Sequence, residues 1–427
     1  MSLRTKLDQV LMALEMGGKI AFERARSGIA FNPMRADLRE DPHPFYKELR
    51  ERDPIHRSYA ADGWVLSRYR DVQAVLGDRR FSADERNQRR WERLLKRRLR
   101  AGLVDPYAEE RGSMLRLDAP DHTRLRNLVN KAFTPRAVER MRARAEGLVE
   151  ELLRPFSAGD RMELIADFAS PLPVTIIAEM LGVPSDDHAR FRHWSDEVIL
   201  ALGDNTVENL RQGEKAMEEL GLYLLEVAAE RRRAPREDLL TGLVRAEERG
   251  DHLSEKELAT LCVLLLVAGN ETTTKLVANG LLALLRNPDQ LALLVAEPKR
   301  IAGSVDELLR YDGPVQLTSR MVLEDGELEG HRLRRGQQLV LMIAGANRDP
   351  EQFAKPDKLD VTRENVRHLA LGHGAHYCLG AQLARLETTL ALEGLLTRFP
   401  RLRLADEPIT WGSNTVLRGP TRMVLVL

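Results

Sequence analysis

Leu371-Gly372-His373-Gly374-Ala375-His376-Tyr377-Cys378-Leu379-Gly380 sets a cysteine among three glycines and two histidines, directly before an apolar helical pattern. Leu379, Leu383, Leu386 and Leu390 follow at spacings of four, three and four, which predicts a helix. A cysteine at such a place faces unpaired backbone N–H groups and the positive end of the helix dipole. Both favour a thiolate over a thiol. Glycines at 372, 374 and 380 let the backbone approach a flat object without Cβ clashes. A lone cysteine is more often core packing. The glycines and histidine around this one argue for a ligand.

Upstream, Ser254 and Glu257 form a capping-box signature, and the helical pattern runs from there to Arg286, ending at Asn287-Pro288. At 1.5 Å per residue the helix spans roughly 50 Å, enough to cross a large domain. Its apolar centre, Leu261–Ala268, is too short for a membrane span and predicts a helix buried through the protein. Ala268-Gly269-Asn270-Glu271-Thr272-Thr273-Thr274 then breaks the pattern with a glycine, an acid and three β-branched alcohols. Glycine alone costs about 1 kcal/mol against alanine there. Local rules are broken most often where function requires it.

The rest of the chain sets the frame. The 427 residues, 43% hydrophobic and 30% charged, allow a large core, and no linker, repeat or low-complexity run marks a boundary, so one domain over 1–427 is expected. The pattern is mainly helical from about 71 to 310. A minor β-sheet comes from both ends: a hairpin of Ile55–Tyr59 and Trp64–Arg68 around Ala61-Asp62-Gly63, with Gly63 supplying a positive φ, and pieces at Met321–Glu324, Leu339–Ile343, Leu402–Leu404 and Met423–Leu427. The fold class is therefore α+β with helices dominant. Lys+Arg and Asp+Glu are both 65, which removes any global argument for a nucleic-acid partner. The two cysteines, Cys262 and Cys378, are too far apart in context for a disulfide framework, and a reducing cytoplasm is the expected compartment. Residues 1–35 read as an extension whose Leu7, Val10, Leu11 and Leu14 line one helical face; charges interrupt it, so no transmembrane segment is expected.

The segment 371–380 resembles the cysteine-ligand loop of cytochromes P450, Phe-Gly-x-Gly-x-His-x-Cys-x-Gly, with Leu371 standing where the family has phenylalanine. In the family that aromatic helps set the reduction potential, so its loss bears on redox tuning and not on ligation. Four further matches support the resemblance. Ala268-Gly269-Asn270-Glu271-Thr272-Thr273 is similar to the oxygen-activation motif. Glu307-Leu308-Leu309-Arg310 matches the Glu-x-x-Arg helix, with Arg363 as the later arginine that locks it. Ala346-Asn347-Arg348-Asp349-Pro350 with Phe353 and Pro356-Asp357 matches bacterial members. Asp121-His122-Thr123-Arg124-Leu125-Arg126 carries His122 and Arg126 as haem-propionate donors, completed by Arg320 and His376.

What the resemblance implies is a P450 fold with the long helix over haem b, Cys378 as axial iron ligand, and Ala268, Gly269, Leu371, Gly372 and Gly380 against the cofactor. It implies a soluble monooxygenase that hydroxylates or epoxidises a hydrophobic small molecule with O₂. Thr272 would hydrogen-bond dioxygen, and Glu271 would belong to the proton-delivery path, with water between. No flavin- or cluster-binding segment is seen, so electrons are expected from a ferredoxin and its reductase, with the chain a monomer. A peroxide-driven enzyme of the same fold would not need the Glu271-Thr272 pair. A non-catalytic haem-binding protein would need neither the pair nor a pocket. The pocket is expected between about 83 and 115, at Leu264, Leu265 and Ala268, at Val315–Thr318 and at Asn414–Leu417. Residues 86–100 hold eight cations and an apolar stripe of Trp91, Leu94, Leu95 and Leu99. The bland reading is a solvated basic helix with its stripe on the body. The sharper one is attraction of an acidic substrate, an acyl-carrier protein or an anionic membrane.

Overall fold

The computed structural model describes residues 16–427 apart from 34, 108–112, 204–205 and 249, and only the backbone at 202–203 and 247–248. The stripe at Leu7–Leu14 lies outside the described residues; residues 16–27 are helical. Their Glu23 is buried and binds five groups of one corner, accepting from Phe31 N, Ser58 Oγ, Tyr59 N and Ala60 N and pairing with His56 Nε2.

Five strands form the larger sheet: β1 (Ile55–Ser58), β2 (Gly63–Leu66), β3 (Phe81–Ser82), β4 (Thr318–Val322) and β5 (Gln338–Leu341). Their order is β1-β2-β5-β4-β3, with β2 and β5 parallel and the other pairs antiparallel. The hairpin between β1 and β2 forms as expected, but the positive φ belongs to Asp62 (55°), not to Gly63. Gly63 answers a different demand. A Cβ there would lie 1.6 Å from the Gln338 carbonyl oxygen, so only glycine lets β5 pair alongside. The C-terminal strand Val424–Val426 does not join this sheet. It pairs with Arg403–Leu404 and with Arg161–Glu163, a strand hidden within the helical region of the sequence. The sheet is thus split in two, because the chain's last strand is captured by the helical half.

Seven helices position the site: α1 (Trp91–Arg100), α2 (Asp121–Ala132), α3 (Pro171–Met180), α4 (Val207–Arg233), α5 (Glu255–Arg286), α6 (Ile301–Asp312) and α7 (Ala381–Arg398). The long helix α5 starts at the Ser254–Glu257 capping box and stops at Asn287, before Pro288, as its sequence predicts. It packs on α3, α4, α6 and α7, and Thr273–Leu284 are buried without exception. By length and composition α5 could cross a membrane, but 72% of its most apolar window is buried inside the protein. Cys262 is one of its core residues.

Candidate active site

Cys378 sits half-buried between the loop and α7, its N–H donating to the Leu371 carbonyl at 2.8 Å. Gly372 and Gly374 take positive φ of 77° and 70°. At Gly374 a Cβ would lie 2.7 Å from the Leu76 carbonyl, so this glycine holds the loop down on the neighbouring helix. Gly380 is different: its φ is −82°, and no protein atom lies within 4 Å of a Cβ built there. Neither backbone strain nor packing among the described residues requires glycine at 380.

The Gly380 N–H at the head of α7 favours the Cys378 thiolate, as the sequence argument expects, while burial acts against it. Burial pushes the thiol up, and the Gly380 N–H, Arg126 and Arg385 only partly offset it. The physical reason is its apolar surroundings, where Leu276, Val305, Leu309, Ala370, Leu371 and Ala381 form one cluster against it. Coordination to a haem iron would favour the thiolate strongly.

Four potential donors gather beside the cysteine. The rings of His122, on α2, and His376 lie 4.1 Å apart between centroids. Arg320, buried on β4, donates among the described residues only to the Ser319 carbonyl, at 2.8 Å. Among the described residues none of His122, Arg126, Arg320 and His376 forms an ion pair. Asp118, the acid that acts on Arg320 from a distance, is taken up by Ser82 and the Ala83 N–H. Burial, then His122, Arg320 and Arg126, push His376 down to about 3. His122 and Arg320 are lowered too, first by burial. Such a group repels added protons until anions arrive, and two buried carboxylates would satisfy it.

The face of α5 changes character halfway along. Val263, Leu264, Leu265, Val267, Gly269 and Thr272 are half-buried, and Ala268 is exposed, at the centre of an otherwise sunken helix. No protein atom beyond the helix itself approaches a Cβ built at Gly269 within 4 Å. The Thr272 hydroxyl donates to the Ala268 carbonyl at 2.6 Å, satisfying itself within the helix. Asn270 turns away and donates to Ser195 at 2.8 Å. Cys378, the unpaired donor group and the uncovered glycines 269 and 380 fit a haem with two propionates.

Glu271 is buried and paired with Lys275, one helical turn on. Lys275 was not singled out in the sequence, although its i, i+4 spacing from Glu271 is readable there.

Glu307 and Arg310 meet through two bonds of 2.7 Å, and Arg363 Nε donates to Glu307 at 3.1 Å. Arg310 also donates to the carbonyls of Asn347, Pro356 and Lys358. This triad ties α6 to the loop that leads into the cysteine.

The basic segment meets its bland reading in part: Trp91 and Leu95 of the stripe are half-buried. Leu94 and Leu99 are 43% and 50% exposed, and α1 has no buried residue. Arg89 and Arg90 pair with Asp62, and Arg98 with Glu214 of α4. Arg93, Arg97 and Arg100 form no ion pair among the described residues, and with Lys96 they share the outward face at helical spacing.

A family model described as cytochrome P450 matches residues 64–422. The polyketide biosynthesis cytochrome P450 PksS of Bacillus subtilis (strain 168) is 38% identical over 402 residues, covering 92% of this chain and 97% of its own. Its solved structure superposes with a TM-score of 0.84, covering 93% of this chain and 99% of that one. The cytochrome P450 monooxygenase PikC of Streptomyces venezuelae is 40% identical over 392 residues, covering 90% of each chain. Mycinamicin IV hydroxylase/epoxidase of Micromonospora griseorubida is 39% identical over 389 residues, covering 89% of this chain and 94% of that one.

Proposed function

The chain belongs to the cytochrome P450 family and is a haem-binding monooxygenase, and we propose that it inserts one oxygen atom into a hydrophobic small molecule by hydroxylation or epoxidation. The observation that carries this reading is the half-buried Cys378 beside four potential cations that have no anion of their own. Haem b, bound through the Cys378 sulfur, supplies the activation of dioxygen that the thiolate favours.

The polypeptide does the rest. His122, Arg126, Arg320 and His376 receive the propionates, and Leu371, Gly372 and Gly380 line the sulfur side. Gly269, with the small Ala268 beside it, leaves room for dioxygen against α5. The Thr272 hydroxyl, released from the Ala268 carbonyl, donates a hydrogen bond there. Glu271 takes a proton from solvent and passes it toward Thr272. Leu264, Leu265 and the loop Asn414–Leu417 present apolar surface to the substrate and exclude water. Glu307, Arg310 and Arg363 hold the haem-facing loops in register.

Relatives named for polyketide biosynthesis and for a mycinamicin support a substrate of the macrolide or polyketide kind. The outward cations of α1 favour one carrying an acidic group. Electrons come from a separate ferredoxin and its reductase, and the enzyme acts as a one-domain monomer in the cytoplasm. The Glu271-Thr272 pair favours this over a peroxide-driven reaction. The test is a ligand screen for the low- to high-spin shift, followed by turnover of each hit with NAD(P)H and a redox chain. Turnover with peroxide alone, or no product from any binding ligand, would overturn the reading.

A further inference from the structure

Lys275 stands one turn beyond the proposed proton carrier, and its surroundings are built around it. The side chains of Glu271 and Lys275 are 7% and 6% exposed. The ammonium holds one carboxylate oxygen, Oε1, and donates a second bond to the Leu417 carbonyl at 3.0 Å. The other carboxylate oxygen, Oε2, is buried with no hydrogen-bond partner among the described residues. The lysine stem lies against Gly419, where a Cβ would come within 2.7 Å of Lys275 Cγ. One turn later Asn279 donates to the carbonyls of Arg418 and Asp312, both at 3.1 Å. The loop around 417–419 is therefore stitched to α5 by Lys275 and Asn279. Its other edge is stitched to the strand leading into β4, through Gln316 N to the Val416 carbonyl and Arg418 N to the Pro314 carbonyl, both at 2.8 Å.

Packing alone does not require this arrangement. A buried ion pair is often no more stabilising than apolar residues of the same volume. A buried carboxylate oxygen without a donor adds a cost that a stability role leaves unexplained. The position of the pair beside Thr272 supplies the reason.

We propose that Lys275 is a positioning residue for proton delivery: it clamps Glu271 through Oε1, leaves Oε2 as the atom that takes up and hands on the proton, and ties that geometry to the loop Asn414–Leu417. The proton arrives on Oε2 and leaves from Oε2, so the carboxylate ends as it began and the lysine stays charged throughout. A ligand that shifts the loop shifts the Leu417 carbonyl, and with it the clamp. Proton delivery then depends on what fills the pocket.

This inference rests on Glu271 as proton carrier, and the experiment separates the two. In the haem-loaded protein with a ligand that gives a spin shift, Lys275→Met should keep haem content and the spin shift. Its share of electrons reaching product should fall several-fold, and its solvent isotope effect on turnover should rise. Lys275→Arg should restore much of the coupling. Backbone hydrogen exchange at 414–419 should quicken in Lys275→Met.

Glu271→Gln/Lys275→Met removes the unpaired buried charge and serves as well if the single variant does not hold haem. Its coupling should equal that of Glu271→Gln alone, because a clamp has no effect without its carboxylate. Additive losses, or a Lys275→Met enzyme with unchanged coupling and isotope effect, would overturn the role of Lys275. If Glu271→Gln itself leaves coupling unchanged, the carrier assignment falls and this inference falls with it.

Discussion

Glu307 and Arg310 share two hydrogen bonds of 2.7 Å with neither side chain exposed to solvent. Breaking one partner of such a pair leaves the other charge buried and alone. Arg310→Ala should therefore cost roughly 3–5 kcal/mol, and should also free the carbonyls of Asn347, Pro356 and Lys358. Chemical denaturation of the haem-loaded protein measures it; a loss under 1 kcal/mol would show that the triad is dispensable.

Cys378→Ala should abolish the thiolate-type spectrum of the ferrous–CO complex. The cluster around Leu276, Leu309 and Leu371 tolerates the smaller side chain, so the fold should survive and circular dichroism should stay close to that of the parent. An unchanged ferrous–CO spectrum would remove Cys378 as the iron ligand.

Thr272→Ala should keep haem and divert reducing equivalents into peroxide. Among the described residues the hydroxyl bonds only the Ala268 carbonyl, within its own helix, so its removal leaves no buried group unpaired there. Stability should barely change. Peroxide release equal to that of the parent would count against the threonine's role.

The corner around Glu23 and His56 should give stability a pH dependence. Burial opposes protonation of His56, but Glu23 and Asp53 outweigh it and raise its pKa above 6.5. That contribution is complete below 6.5 and is lost as pH rises through the folded-state value. Glu23 behaves oppositely: burial works against its charge, yet bonds from His56, Ala60, Ser58 and Phe31 lower its pKa below 4.5. Its contribution is present above 4.5 and fades as pH falls. Glu23→Gln should flatten both limbs of the urea midpoint plotted against pH; two intact limbs would place the dependence elsewhere.

The outward guanidiniums of Arg93, Arg97 and Arg100 should draw an anionic ligand. Affinity for a carboxylate-bearing hit should fall with added salt and fall further when all three are replaced by glutamate. A neutral ligand should be indifferent to both changes. Indifference of the acidic ligand to salt would leave α1 as a solvated helix.

The long helix was legible to the residue because its signals are local: a capping box at Ser254 and a proline after Asn287. The Glu307–Arg310 pair was legible for the same reason, since spacing along a helix fixes which side chains meet. What escaped was set by distant chain. Arg161–Glu163 is a strand only because Val424–Val426 lies beside it. Gly63 is dictated by Gln338, far along the sequence, and not by its own turn. The burial of Cys378 comes from residues on α5, α6 and α7 as well as its own loop, which the local helix-dipole argument does not see. Leu94 and Leu99 look like a core stripe in one dimension, yet α1 finds too little body to cover them.

Gly269 carries a consequence for how this chain can evolve. Mid-helix glycine gives up about 1 kcal/mol against alanine, and no protein atom beyond the helix lies within 4 Å of the missing methyl. Folding would therefore be improved by the single exchange Gly269→Ala, and nothing in the polypeptide opposes it. Thermal denaturation should show the gain, and the reaction should show the loss. On the proposed role of Gly269 the chain gives up stability for turnover at this one position, and the two can be traded there one carbon at a time.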